Sequence, residues 1–240
     1  MKSQLLFLKI LVCFFLTCPL FSETVSNRLN SLESGSCIIY ELPQSVIAIT
    51  VTKKDTHQVS LEAVTATKDV LNRENMASYL AWCHAGMPSA SFRDELTFSL
   101  PDGKLAKTSS TVHNEWLLTL LQLSMEKVPS ASRKRAGPTP MPGETDLRPV
   151  WQPRILVGGK RLDTISTAYS VHWPEDGTSL ANKEIILYFP DSKEAVSGLP
   201  YWIESPSSQY KVYVVDSEKK GEAGSLPLIT IRSNSAVYSF

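Results

Sequence analysis

The sequence lacks a surplus of either charge, with 24 lysine and arginine residues against 24 aspartate and glutamate. A nucleic-acid partner demands a basic face that displaces counterions, and anionic lipid heads attract the same. Neither partner is expected. Histidine is scarce. His57, His84, His113 and His172 never stand at the i, i+4 spacing that sets two ligands on one helical face, and no HExxH occurs. His172 with Glu175 and Asp176 could offer a metal nitrogen and oxygen donors, yet a polar turn after a strand explains the group equally well. Glycine is sparse too. Gly158-Gly159-Lys160 follows a strand but opens no helix, so it is not a phosphate loop. The segment Gly177 to Ala181 falls short of GxSxG and lacks the strand-to-helix elbow that exposes a nucleophile. Two SxxK patterns, Ser124 to Lys127 and Ser217 to Lys220, have no companion motifs. The first reads as the end of a helix and the second as a charged turn. No catalytic apparatus, metal or cofactor is expected.

Long apolar runs are absent after residue 22, so no later segment is long and apolar enough to cross a bilayer as a helix, which needs about 20 apolar residues. The first 22 residues differ. Lys2 gives a positive start, Leu5 to Phe15 is apolar apart from Lys9, Pro19 breaks the run, and Ser22 puts a small residue before a polar segment. That order is an export signal. It implies a periplasmic or secreted protein, with an uncleaved anchor and lipidation at Cys18 as the other readings. Removing residues 1–22 takes away Lys2 and Lys9 and no acid, which leaves 22 basic against 24 acidic groups. It also takes Cys13 and Cys18, so Cys37 and Cys83 remain. An oxidising compartment permits a disulfide between them; two separate buried thiols fit as well.

What the mature chain has in quantity is alternation. Residues 23–36 are polar and read as loosely held. Cys37 to Leu42, Ser45 to Thr52, Gln58 to Val64 and Phe92 to Leu100 are strand-like, with period two. In Ser45 to Thr52 both faces are apolar, so both should be covered. Leu71 to His84 changes to a helical period, with Met76, Leu80 and Cys83 on one face. A second helix is expected from Asn114 to Lys127, with Trp116, Leu117, Leu120, Leu121 and Ser124 on a wide apolar face and Asn114 as cap. Residues 128–153 hold Pro129, Pro138, Pro140, Pro142, Pro149 and Pro153, which suit neither a helix nor a central strand. Ser130 to Met141 should be mobile, and Leu147, Val150 and Trp151 should pin the rest. Beyond it, residues 154–157, 164–173, 184–189, 200–204 and 210–216 read as strands, followed by 226–232 and an aromatic end at 237–240.

The expected organisation is an export signal at 1–22, a β-rich half with two helices at 23–127, a proline-rich linker at 128–153, and an antiparallel meander at 154–240 in the same sheet. The fold class is mainly β: a curved antiparallel sheet or half-barrel with two short helices against its concave face. Trp151, Trp173, Tyr201 and Trp202 sit at strand ends near prolines, where aromatic rings line pockets as readily as they fill a core. With Trp116 and Leu120 of the second helix they are the candidate ligand-binding residues. Arg133-Lys134-Arg135 is a candidate contact for an acidic partner or a cleavage site.

Two resemblances extend this reading. PGETDLRPVWQPR at 142–154 and GLPYWIESPSSQYKVYVVDS at 198–217, with the export signal, resemble uncharacterised exported proteins of the chlamydial group. That likeness implies no activity. The order EIILYFPD, GLPYWIE, YKVYVVDS is similar in layout to the periplasmic lipoprotein-carrier family. It implies a half-barrel with acyl chains bound in its hollow and short helices covering it. The expected function is non-enzymatic: binding of an apolar ligand, such as a lipid or a lipoprotein acyl chain, or of an envelope protein. A secreted or envelope-associated structural or interaction protein without a pocket is the alternative. An outer-membrane barrel, suggested by Tyr238 and Phe240, is disfavoured by the helices and doubly apolar strands.

Overall fold

The computed structural model describes residues 23–70, 78–109 and 111–219. The expected export signal at 1–22, the first part of the expected first helix at 71–77, Lys220 and the segments 226–232 and 237–240 lie outside them.

Eleven strands form one antiparallel sheet. In chain order they are β1 (Glu23–Thr24), β2 (Cys37–Glu41), β3 (Ser45–Lys54), β4 (Gln58–Thr67), β5 (Phe92–Ser99), β6 (Leu105–Thr108), β7 (Ser124–Lys127), β10 (Ser166–His172), β11 (Glu184–Pro190), β12 (Trp202–Glu204) and β13 (Lys211–Glu218). A separate hairpin, β8 (Ile155–Val157) and β9 (Lys160–Leu162), turns on Gly158 and Gly159, both at positive φ. Two residues with positive φ make the tight turn that matches strand twist. Two helices are described, α1 (Tyr79–His84) and α2 (Glu115–Gln122).

The strand order is β1-β7-β10-β11-β12-β13-β2-β3-β4-β5-β6. The halves on either side of the prolines therefore meet inside one sheet, where β13 pairs with β2 and β7 with β10. The sheet is open: β1 and β6 are its edges, and it does not close into a barrel. A sheet of this many twisted strands curls. Side chains from one face of β2 to β5 and of β10 to β13 share a single core with α2 and the 3₁₀ turn Ser26–Ser31.

Segment 23–36 is not loosely held. Val25, Leu29 and Leu32 are fully buried, because this turn stops one end of the curl. Arg28 lies over the rings of Tyr169 and Phe189, at 4.6 and 4.5 Å, and also donates to the Tyr169 hydroxyl. Lys54 donates to the carbonyls of Asn30 and Leu32, and Asn30 donates to Leu100 O. The tip of the β5–β6 hairpin closes on the same turn. A Cβ on Gly103 would stand 2.4 Å from Ser26 Oγ, so no other residue fits there without a shift.

The second helix is shorter than its sequence pattern. It ends at Gln122, and Ser124–Lys127 is the strand β7. Ser124 and Lys127 are three apart on a strand and so point to opposite faces, which removes the first SxxK pattern. Ser217, of the second, lies in β13 rather than a charged turn. It is buried and bonded to Tyr201 Oη at 2.6 Å and Leu156 O at 3.0 Å. The two helices also take different faces. Leu117, Leu120 and Leu121 of α2 enter the inner core, whereas Leu80, Trp82 and Cys83 of α1 pack outside, on Ile39, Val46, Ala48 and Val64. Both faces of β3 are thus covered, as its doubly apolar sequence requires.

Asn114 does not cap α2 with its side chain. Asp94 of β5, wholly buried, does that work. Its carboxylate accepts from the backbone N–H of His113 and Asn114, from Asn114 Nδ2 and from His113 Nδ1. Burial pushes the carboxyl pKa up, and these donors outweigh it and hold the group below its ordinary value. Such a group contributes stability above its unfolded pKa, about 3.9, and loses it as pH falls through the lower folded value.

Cys37 Sγ and Cys83 Sγ are 3.7 Å apart on the outer face, both buried. A disulfide needs about 2.05 Å. They are neighbouring thiols, and the contact with Cys37 together with burial pushes Cys83 up.

Two outcomes are expected. Asp94→Ala, which strands the donors of His113 and Asn114, costs about 2–3 kcal/mol in denaturant unfolding at neutral pH. The difference from the unsubstituted chain shrinks as pH drops below about 4; a constant difference down to acid would mean that the ionised carboxylate is not what holds α2. In the reduced chain starting at Glu23, neither thiol reacts with an aromatic disulfide reagent until the protein unfolds. Fast labelling of the native protein contradicts their burial.

Candidate functional site

The six ligand-binding candidates do not form one site. Trp116, Leu120, Trp173 and Tyr201 belong to the inner core, while Trp151 and Trp202 meet on the outer face. Strand register decides this. On β11 the inner positions are Ile185, Leu187 and Phe189, so Tyr188 faces out; on β12, Ile203 faces in and Trp202 out.

Inside, three of the four candidates are sealed. Leu120 and Tyr201 are 0% exposed and Trp173 1%. Trp173 donates through Nε1 to Asp176 at 2.7 Å. Tyr201 accepts from Val196 N–H at 2.9 Å, and burial pushes its phenol up to about 12. Trp116 differs. It stands in the first turn of α2, half-buried, with its ring edge-on to Tyr40 at 6.1 Å. Tyr40 is fully buried and donates to Pro200 O at 2.7 Å. The Nε1 donor of Trp116 is buried and has no hydrogen-bond partner. Buried indole N–H groups ordinarily find one.

Outside, Tyr188, Trp202 and Tyr213 are direct cross-strand partners on β11, β12 and β13. They make a row of rings, with Trp202 stacked on Tyr213 at 5.4 Å. Trp151 closes on the row from the proline-rich segment, 5.3 Å from both Tyr188 and Trp202. Glu204, 7% exposed, accepts from Tyr188 Oη at 3.0 Å and Trp202 Nε1 at 3.1 Å. Burial, and then the Glu204 charge, push the Tyr188 phenol up.

The proline-rich segment is a folded strap. Trp151 N–H donates to Lys134 O, Ala136 N–H to Pro149 O, and Arg135 bridges to Val150. Ser130 to Met141 is therefore ordered by its partner limb. Leu147 does not pin it: that side chain is 87% exposed and Met141 73%, at a tip held by the bidentate pair of Arg148 and Asp146. Arg148 holds the Asp146 carboxyl at about 2. Trp151 is the pin; Lys134 lies over its ring, and Arg133 over the ring of Tyr188.

Other features carry less chemistry. A cleft of about 320 Å³ lies between Gln152, Pro153, Arg161 and residues 162–165. The His172 grouping is spent on local bonds, since Asp176 serves Trp173 and Thr178, and Glu175 takes Asn182. Among the described residues no group of histidine, cysteine and carboxylates could hold a metal ion, and no helix is long and apolar enough to cross a membrane. Sequence reasoning missed Asp94, Tyr188, Glu204 and Tyr213. Their signal was polar or phenolic side chains at alternate positions of otherwise apolar strands.

No curated protein matches this chain. Its fold is similar to the solved structure of the hypothetical protein CT021 from Chlamydia trachomatis, with a TM-score of 0.54 and 12% identity, over 87% of this chain and 98% of that one. At that identity the likeness is one of fold. Residues 47–163 match the family of the CT021 protein, a stretch that includes α2 and the strap. The chlamydial resemblance carried by 142–154 and 198–217 is borne out as a likeness to the CT021 protein family over residues 47–163 and to its fold.

Proposed function

We propose that this is an exported binding domain that takes an apolar chain bearing one hydrogen-bond acceptor, such as an acyl ester, between α2 and the inner face of the sheet. The observation that carries this reading is the Nε1 of Trp116, a donor buried at the rim of the apolar core without an acceptor. Leaving such a donor unpaired costs about 1–3 kcal/mol. A ligand carbonyl would recover that, and its chain would collect about 25 cal/mol for each Å² removed from water.

Three further features support it. The helix α2 is apolar on more than one side, since Leu118 and Thr119 are half-buried beside the buried Leu117, Leu120 and Leu121. Its polar anchor is at its start, where Asp94 holds residues 113 and 114, so its far end can shift without breaking that cap. The layout of the C-terminal meander is similar to periplasmic lipoprotein carriers, whose hollow binds acyl chains. In this reading the domain acts by binding, not catalysis, and works in the periplasm or outside the cell.

A specific observation favours a second reading. Met141 and Leu147 are held in solvent on a hydrogen-bonded tip, as a contact for an envelope protein would be. Met141→Ser with Leu147→Ser should then abolish partner capture without touching lipid uptake.

The test is uptake of a fluorescent fatty acid ester by the purified chain starting at Glu23. Saturable uptake is expected, and Trp116→Phe, which removes the donor and keeps an aromatic ring in the first turn of α2, should weaken it about tenfold. No uptake, together with no lipid extractable from the purified protein, rejects the reading.

A further inference from the structure

We propose that the outer aromatic row is a binding site for a quaternary ammonium group of the choline type, and that Lys134 of the strap is its tethered stand-in. The site is independent of the inner face.

The receptor is well built. Tyr188, Trp202 and Tyr213 are fixed by the register of three paired strands. Trp151 adds a wall inclined at 80° to Tyr188 and 65° to Trp202. The carboxylate of Glu204 sits beneath, 7% exposed and oriented by Tyr188 Oη and Trp202 Nε1. Ring faces carry partial negative charge, and a set of them around a desolvated carboxylate is the chemistry that recognises organic cations.

Its present occupant fits poorly. Lys134 Nζ lies 4.5 Å from the centre of the Trp151 ring and 3.6 Å from Glu204, too far for a hydrogen bond. Its side chain remains 49% exposed. An ammonium with three N–H donors wants acceptors that this cage does not supply at bonding distance. Arg133, one residue before, stands 6.0 Å from the Tyr188 ring, with Nε and Nη2 buried and unpartnered. The strap thus sets Lys134 over Trp151 and Arg133 over Tyr188, and neither cation is hydrogen-bonded to the cluster. A trimethylammonium group has no N–H to satisfy, spreads its charge over methyl groups, and meets ring faces by contact alone. Lys134 holds the place because it is tethered and so present at high effective concentration.

The same group can arrive free or on a lipid head, so the test has two arms with the chain starting at Glu23. Saturation transfer to the methyl protons of choline reads the free form, and co-sedimentation with phosphatidylcholine vesicles reads the lipid form. Lys134→Ala should bind at least tenfold more tightly than the unsubstituted chain in one arm or both, and the arm that responds names the source. Glu204→Gln in the Lys134→Ala background, with circular dichroism confirming its fold, should lose that binding. No binding by Lys134→Ala in either arm overturns the site. Binding that the Lys134→Ala change leaves unaltered overturns the role of Lys134, and binding that survives Glu204→Gln overturns the cage.

Discussion

The chain leaves the sheet at one edge, β6, and re-enters near the opposite edge, at β7. The connection must cross a face of the sheet, and it crosses the inner one as α2. This crossing constrains the rest. The helix fills the space that the curled strands enclose, and its leucines join strands that are far apart in the order to one core. The first polar contact of the crossing is its anchor. A buried Asp94 on β5 meets backbone N–H groups that no helix can satisfy internally, which fixes where α2 starts and how it enters the core.

The same topology separates two surfaces with different chemistry. Inward positions of β10 to β13 are aliphatic or sealed aromatic residues, and outward ones are Tyr188, Trp202, Glu204 and Tyr213. An inner face of this kind needs only volume and apolar contact. The outer row carries phenols, an indole N–H and a carboxylate, which must be paired with one another or with charges brought from elsewhere. The strap brings those charges. Its prolines keep it out of the ladder, and its own two limbs bond to each other, so Arg133 and Lys134 arrive on a folded element rather than a loose tail.

Much of the sheet was legible because a half-covered strand writes its burial with period two. The period of two over Gln58 to Val64 sets Val59, Leu61 and Ala63 on one side of β4, where the inner core holds them, and the doubly apolar β3 is covered on both faces. The extent of α2 was not legible. Ser124 to Lys127 continues a helical pattern, but Met125 takes an inner position of a strand that pairs with β1 and β10; tertiary pairing overrode local preference. Segment 23–36 looked polar because its three buried apolar residues, Val25, Leu29 and Leu32, are spaced for a short turn rather than a regular element. The site was harder still. Aromatic residues at strand ends read alike whether they face in or out, so Trp173 and Trp202 were grouped although the sheet lies between them. Which way each points depends on register across strands that the sequence does not place side by side.

The helix α2, the strand β7 and the strap are consecutive: the helix ends at Gln122, β7 spans Ser124–Lys127 and the strap follows from Val128. Only this short strand separates the element that fills the inner face from the element that covers the outer one. It is tied to β10 through the pairs of Lys127 with Tyr169 and Glu126 with Ser170, and to β1 through Met125 and Ser124. Tyr169 is also the ring on which Arg28 lies. The 3₁₀ turn and the strand between the two covering elements therefore meet at one tyrosine. A shift of α2 along the inner face must be absorbed within β7 or passed to these neighbours, because a strand with paired residues on both sides has no slack of its own.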